Sequence, residues 1–263
     1  MPGLADEVRR HRKSGREALI YWHDSIDSTN DEAFRLWAKE RVPEGTVVMA
    51  DTQTKGKGRS GRTWFSPPGA GLYLSVLLSP PHQVFSPSPL TLLAGVVVAS
   101  ALERLTGRAP QLKWPNDLQY DGLKVGGILT EAQANRDQIT AIVVGIGLNL
   151  SQLPEDFPPN LRQGTTSLLS ATGYRADRTE LAAAILDELD TEYRKWLQDG
   201  FEPVAEAWRQ RTSTLGKKVR IVLNDVVTEG LAKTIGEDGS LVIQTSTGIT
   251  RIQAGEVTEI QSE

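Results

Sequence analysis

Gln53-Thr54-Lys55-Gly56-Lys57-Gly58-Arg59-Ser60-Gly61-Arg62-Thr63-Trp64 is the stretch on which the reading of this sequence turns. Its eight residues from Lys55 to Arg62 hold four cations and three glycines. Glycine lets the backbone take positive φ and come close to a ligand. Lys and Arg supply donors with no acceptor character, the complement of phosphate and carboxylate oxygens. The loop reads either as an anion-binding element or as a solvated basic turn. Apolar Val47-Val48-Met49-Ala50 before it and Trp64-Phe65 after it anchor both ends in a core, which favours the first. It has neither the Gly-x-x-x-x-Gly-Lys-Ser/Thr spacing of a P-loop nor a Gly-x-Gly-x-x-Gly turn opening a helix.

Upstream of the loop, residues 4–14 predict a short helix closed by Gly15, with Arg9, Arg10, Arg12, Lys13 and Arg16 on a solvated basic face. Residues 19–22 predict a strand. Asp24-Ser25-Ile26-Asp27-Ser28-Thr29-Asn30 is a run of turn and cap residues ahead of Ala33, Phe34 and Trp37 at helical spacing. Ser28-Thr29-Asn30 is then a plain helix cap, or a helix N-terminus that presents hydroxyls, an amide and free N–H groups to a polar ligand. Residues 46–51 and 72–79 predict strands, so the basic loop joins two strands of one sheet.

Downstream, Ser88-Pro89 opens a helix that Gly107 closes, apolar around most of its circumference and therefore buried. A short strand at 112–114 breaks at Pro115-Asn116-Asp117, and Asp121-Gly122 turns the chain into a strand from Leu123. Asn135-Arg136-Asp137 makes another turn before the apolar strand 140–148. These hairpins imply an α+β fold: a mixed, largely antiparallel sheet with helices on one side. A loop at 154–159 precedes two amphipathic helices across 177–208, broken near Gly200 and Pro203. From Leu215 short β-like runs alternate with turns such as Asn224-Asp225, suggesting a small SH3-like barrel. The expected organisation is residues 1–213 as one domain and 214–263 as a second.

Composition narrows the class. With 263 residues, 39% of them apolar, and a net charge of −4, the chain is globular and has no global field for nucleic acid or anionic membrane. It has no cysteine, which removes disulfides and thiolate catalysis, and His11, His23 and His82 lack metal-ligand spacing. No secretory signal is visible, and the apolar run near 92–102 is short for a membrane span. A cytoplasmic location is expected.

Five motifs in order carry a resemblance: Asp27-Ser28-Thr29-Asn30, then Gln53 through Trp64, then Lys113-Trp114-Pro115-Asn116-Asp117, then Lys124-x-Gly126-Gly127-Ile128-Leu129, then Gly145-x-Gly147-x-Asn149. Together they resemble the biotin protein ligases, over roughly residues 20–260. The resemblance implies a class II synthetase-like catalytic domain that joins biotin and ATP into biotinyl-5′-adenylate. The acyl group then passes to one lysine of a biotin carboxyl carrier protein of acetyl-CoA carboxylase. It implies Lys124, Arg59 and Lys57 as catalytic cations around carboxylate and α-phosphate. Ser28, Thr29, Asn30, Gln53, Gly58 and Gly127 join them in binding biotin, and Arg62, Trp64, Asn116, Asp117 and Asn149 join Arg59 and Lys124 in binding ATP and adenylate. Mg²⁺ would assist at the triphosphate, with Asp117 as the one protein contact and no site fixed by protein alone.

Lys57 stands where the family's loop commonly has Arg, keeping charge without the planar fork. Family members that are also repressors carry a winged helix needing on the order of 60 residues before the Ser-Thr-Asn motif. With 27 residues ahead of Ser28 the expectation is a ligase without nucleic acid or membrane partners, and a homodimer is compatible with it. Two rivals stand beside this reading: a lipoate–protein ligase of the same superfamily, and a non-catalytic sensor of biotin or its adenylate.

Overall fold

The computed structural model describes residues 3–15, 17–80, 86–135, 138–223 and 225–260; Arg16, His82, Arg136, Asp137 and Asn224, named above, lie outside them. Seven strands build the larger sheet: β1 (Ile20–Ile26), β2 (Val47–Gln53), β3 (Gly71–Leu78), β4 (Gln111–Lys113), β5 (Asp117–Tyr120), β6 (Leu123–Asn135) and β7 (Gln138–Asn149), in the order β1-β2-β3-β7-β6-β5-β4. Only the β1–β2 pair is parallel; the others are antiparallel. The parallel pair follows from the crossover between them, helix α2 (Thr29–Glu40), because two parallel strands cannot be joined by a tight turn. β1 runs on to Ile26, so Asp24 and Ser25 belong to a strand rather than a turn.

The helices occupy both faces of this sheet, not one. Val47, Met49, Leu72, Leu74, Val76, Ile142 and Val144 face a core shared with α3 (Ser88–Thr106), α5 (Arg178–Asp199) and α6 (Glu202–Arg209). The alternate residues Val48, Leu77, Ala141 and Val143 pack against Ala33 and Leu36 of α2 on the other face. β3 is accordingly buried along its whole length. α3 is long and apolar enough to cross a bilayer by length and composition, longer than the run 92–102 suggested, yet most of its residues are buried inside the protein. Ser88 is its first helical residue, with Pro87 as the cap before it and Gly107 as the cap after it.

The N-terminal helix α1 (Leu4–His11) ends before Arg12, earlier than predicted. Arg12 is not solvated: it is buried between Asp187 and Asp190 of α5, with its Nε 2.7 Å from Asp187 Oδ1. The two α5 carboxylates, Asp187 and Asp190, explain why a cation in a basic run turns inward.

A short helix α4 (Leu168–Thr172), unforeseen in the sequence, precedes α5. The C-terminal strands β8 (Lys218–Leu223), β9 (Val226–Ile235), β10 (Leu241–Thr245), β11 (Gly248–Ile252) and β12 (Glu256–Glu259) form a second, antiparallel sheet in the order β11-β10-β9-β8-β12. Trp114 joins the two sheets. Its indole is 1% exposed and donates to Gly239 O at 3.1 Å, and its backbone N–H donates to Thr214 Oγ1 at 3.0 Å. The linker also pairs along the outer edge of β4, Leu112 N donating to Arg211 O and Ser213 N to Leu112 O, both at 2.9 Å.

Trp114→Ala is expected to cost about 3–5 kcal/mol, as removal of a buried Trp does. Trp114→Phe, which keeps most of the packing and loses the bond to Gly239, should cost about 1 kcal/mol plus the lost area. Urea unfolding followed by circular dichroism measures both; equal and small effects would show that the indole does not seat the second sheet.

Candidate active site

A cavity of about 370 Å³ opens where α2 stops covering its face of the sheet. Gly145, Gly147 and Asn149 continue the alternation of Ala141 and Val143 along β7, so they share the face that α2 packs on. Gly127 and Leu129 of β6 stand directly beside Gly147 and Gly145. The floor is bare because it has no side chains to fill it. A Cβ at Gly145 would lie 2.3 Å from Asn30 Oδ1, and one at Gly147 would lie 2.6 Å from Cε2 of Trp64. Trp64 lies flat here, its indole N–H finding no acceptor among the described residues, with Lys124 Nζ 5.5 Å from the ring centre.

Every site residue singled out from the sequence lines this cavity: Ser28, Thr29, Asn30, Gln53, Lys57, Gly58, Arg59, Arg62, Trp64, Asn116, Asp117, Lys124, Gly127 and Asn149. They do not all offer free groups to a ligand. Ser28 does cap α2, accepting from Asp31 N at 3.5 Å, while the buried Thr29 gives its backbone N–H (2.9 Å) and hydroxyl (3.1 Å) to Gln53 Oε1. Gln53 Nε2 in turn donates to Ser66 Oγ at 3.0 Å. Asn30 is spent on both ends: Oδ1 accepts from Ser75 at 2.6 Å, and Nδ2 donates to Glu131 Oε2 at 2.8 Å and Leu129 O at 3.2 Å. Asn116 and Asn149 likewise donate to backbone carbonyls, of Ile128 at 2.8 Å and Thr166 at 3.1 Å. These amides brace the walls.

Asp27 is a brace too. Arg35 holds it with both terminal nitrogens, at 2.7 and 2.9 Å, and its carboxyl is pulled down to about 2, chiefly by that bond.

The cations differ among themselves. Lys124 Nζ lies 2.5 Å from Asp117 Oδ1, at the rim of the floor. Arg59 Nη1 donates to Asn116 Oδ1 at 3.3 Å, and burial pushes its guanidinium below its ordinary value despite the nearby Asp117. A part-buried cation with too little counter-charge is a site for an anion. Arg62 reaches out of the loop to Glu256 of β12, 2.5 Å away, so the second sheet closes one side of the cavity through Gly255, Glu256, Val257 and Thr258. Lys57, grouped with Arg59 and Lys124 in the sequence, is paired instead with Asp31 and Glu131.

Sequence reasoning missed Ser75, Glu131 and the individual residues of the C-terminal lining. Ser75 had a signal, a lone serine in the otherwise aliphatic and aromatic run Leu72–Leu78; it is 0% exposed and bridges Thr29 and Asn30. Glu131 had none, since its meaning depends on which residues α2 brings over it.

Comparison with known proteins agrees with this geometry. The biotin/lipoate A/B protein ligase family matches residues 22–149, and the biotin protein ligase C-terminal domain matches residues 214–258. The chain is 38% identical to the bifunctional ligase/repressor BirA of Bacillus subtilis, over 91% of this chain and 73% of that protein. It is 32% identical to a biotin–[acetyl-CoA-carboxylase] ligase of Mycobacterium tuberculosis, over 89% of this chain and 86% of the other. The solved structure of a biotin protein ligase from Aquifex aeolicus in complex with biotin and ATP superposes with a TM-score of 0.79 at 32% identity, covering 93% and 99% of the two chains.

Gly147→Ala puts a methyl group where the indole of Trp64 lies, so the ring must leave the floor. The tryptophan emission of the ligand-free variant should move to longer wavelength, and adding Trp64→Phe should abolish the shift. An unshifted spectrum would show that the indole does not rest on Gly147.

Proposed function

The chain belongs to the biotin protein ligases, and on that premise we propose that this cavity joins biotin to ATP as biotinyl-5′-adenylate and then transfers the biotinyl group to a lysine of a biotin carboxyl carrier protein. The observation that carries the reading is the convergence of five separated motifs on one glycine-floored cavity, with the under-compensated Arg59 at its rim. A compact bicyclic ring fits a cavity whose glycine floor lets it come close to the backbone, and a carboxylate and a phosphate fit Arg59 and Lys124.

In the first step the biotin carboxylate oxygen attacks the α-phosphorus of ATP. A P–O bond forms to the carboxylate, the bond to the β-phosphate oxygen breaks, and pyrophosphate leaves. Both reactants are anionic, so the step depends on cations that are in place beforehand. Lys124, aimed by Asp117, and Arg59, aimed by Asn116, supply them. The Ser28–Thr29–Gln53 end, with its hydroxyls and helix N-terminus, takes the ureido group and orients the ring. In the second step a neutral lysine amine of the carrier attacks the acyl carbon, and AMP departs as the C–N bond forms. Trp64, Asn116 and Asn149 face the nucleotide.

Magnesium fits this cavity as a partner of the phosphates rather than of the protein. Among the described residues no group of three or more His, Cys, Asp or Glu stands ready to hold a metal. The acidic wall residues Asp117 and Glu256 are each ion-paired, with Lys124 and Arg62. When bound with ATP the ion would neutralise phosphate charge, and Asp117 is the residue to reach it.

The purified protein is expected to release pyrophosphate when given biotin, ATP and Mg²⁺, and to label a purified carrier domain, with lipoate replacing biotin poorly. Pyrophosphate release with lipoate but not biotin would favour a lipoate ligase, and ligand binding without release a sensor. Lys124→Ala should lower adenylate formation by about 10²–10³ while the protein stays folded, the typical loss of one electrostatic group at the reacting atoms. A rate within about threefold of wild type would remove Lys124 from that position.

A further inference from the structure

The basic loop is a small closed hairpin. Trp64 N donates to Gly56 O at 2.8 Å, Gly58 N to Arg62 O at 2.6 Å, and Lys57 and Thr63 form an isolated antiparallel bridge. Such a hairpin holds its own shape but says nothing of where it sits. Its position over the cavity is set by side chains that reach out of it. Arg59 goes to Asn116 and Arg62 to Glu256, while Lys57 goes to two carboxylates at once, Asp31 in the first turn of α2 and Glu131 of β6 (Nζ to Oε1, 3.6 Å).

Glu131 is the junction. One oxygen faces the Lys57 ammonium and the other accepts from Asn30 Nδ2 at 2.8 Å, so the same carboxylate touches the loop and the helix that presents Ser28 and Thr29. Lys57 is held above its ordinary value: burial pulls it down, but the bond to Asp31 and the charges of Glu131 and Asp31 outweigh burial. Three charges that already balance to one net negative have little to offer a further anion. Taking Lys57 away would leave Asp31 and Glu131 as two part-buried carboxylates with no cation between them.

From this geometry we infer that Glu131, with Asp31, is a positioning residue for the basic loop, and that Lys57 acts as the loop's tether and not as a ligand of the reacting anions. The inference rests on the ligase reading of the cavity and deepens it. The tether biases the loop toward this position before any ligand arrives, so part of the entropy of placing three glycines does not fall on binding. Arg59, which sits two residues on from the tethered Lys57, is thereby delivered to the α-phosphate side. Losing the tether should weaken capture of biotin while leaving the chemical step to Arg59 and Lys124.

Glu131→Gln separates these effects, because a glutamine keeps an acceptor for Asn30 and loses the charge that holds Lys57. In the ligand-free protein, trypsin cleavage within 55–62 is expected to quicken about fivefold, since cleavage follows the open population and a part-exposed ion pair shifts it by this order. With ligands, KM for biotin should rise about fivefold to tenfold with kcat within about twofold, the pattern of lost pre-organisation and not of lost transition-state contact. Lys57→Ala should give the same pattern, Lys57→Arg should restore wild-type values, and Lys57→Ala combined with Glu131→Gln should cost no more than either alone. Thermal unfolding checks that each variant folds; Asp31→Asn replaces Glu131→Gln should the latter fail.

Unchanged cleavage of the ligand-free variant overturns the proposal. So does a KM for biotin that falls, which would mean the carboxylates compete with the ligand for Lys57, or a hundredfold loss of kcat in Lys57→Ala. The cleavage comparison uses no ligand, so a wild-type protein that makes no adenylate would refute the ligase reading and leave this result standing by itself.

Discussion

The structure depends on the bareness of one half of one sheet face. α2 covers Val48, Leu77, Ala141 and Val143 with Ala33 and Leu36, and beyond its first turn the same face continues as Gly127, Gly145 and Gly147. Had those positions carried ordinary strand residues, the apolar layer would have run on and the cavity would be core. Glycine weakens a strand, by about 0.5–1 kcal/mol each relative to alanine. Here the strands that carry them are buried on their other side against α3 and α5, which supplies the stability that an exposed glycine-rich strand would lack. Function takes the face that folding does not need.

Around that floor the polar residues divide by whether their hydrogen-bonding capacity is used. Asn30, Gln53 and Asn116 bond at both ends of their amides to neighbours in the fold, and Asn149 Nδ2 is given to Thr166 O. Asp27 is locked by Arg35. These groups cannot turn to follow a ligand; they hold walls, helix start and turn in fixed relation. Arg59 is different, part-buried with less negative charge around it than its own charge calls for. Pre-organised dipoles and cations stabilise developing charge well because they need not reorganise when it appears. The braces and the cations are therefore parts of one device, and Lys57 belongs with the braces.

The second sheet completes the enclosure. Trp114 comes from the same short segment as Asn116 and Asp117, and its indole is buried against the turn at Gly239. The residue that fixes the second sheet is thus a neighbour in sequence of two that line the cavity. The contact between Arg62 and Glu256 ties the basic loop to β12 as well. A displacement of that sheet would be felt at the turn and at the loop together.

By itself the sequence determined most of the strand and helix alternation, the antiparallel hairpins and the motifs that come to line one cavity. The hydrophobic periods of 2 and 3.6 are local, and motifs such as Lys113-Trp114-Pro115-Asn116-Asp117 are contiguous, so both can be read along the chain. What it did not determine was what each polar group is paired with. Lys57 and Arg59 are two residues apart in one basic loop and look alike in a list. Only the fold brings Asp31 from α2 and Glu131 from β6 to the first and leaves the second under-compensated. The same holds for Arg12, which reads as a solvated charge and is buried between two carboxylates of a helix some 175 residues away in the chain. Nor could the face that α2 covers be known, because helix-on-sheet packing depends on where the crossover ends and not on the helix's own pattern. Charge pairing and surface coverage are long-range properties: Coulomb attraction and exclusion of water act through space, and space between residues distant in sequence exists only once the chain has folded.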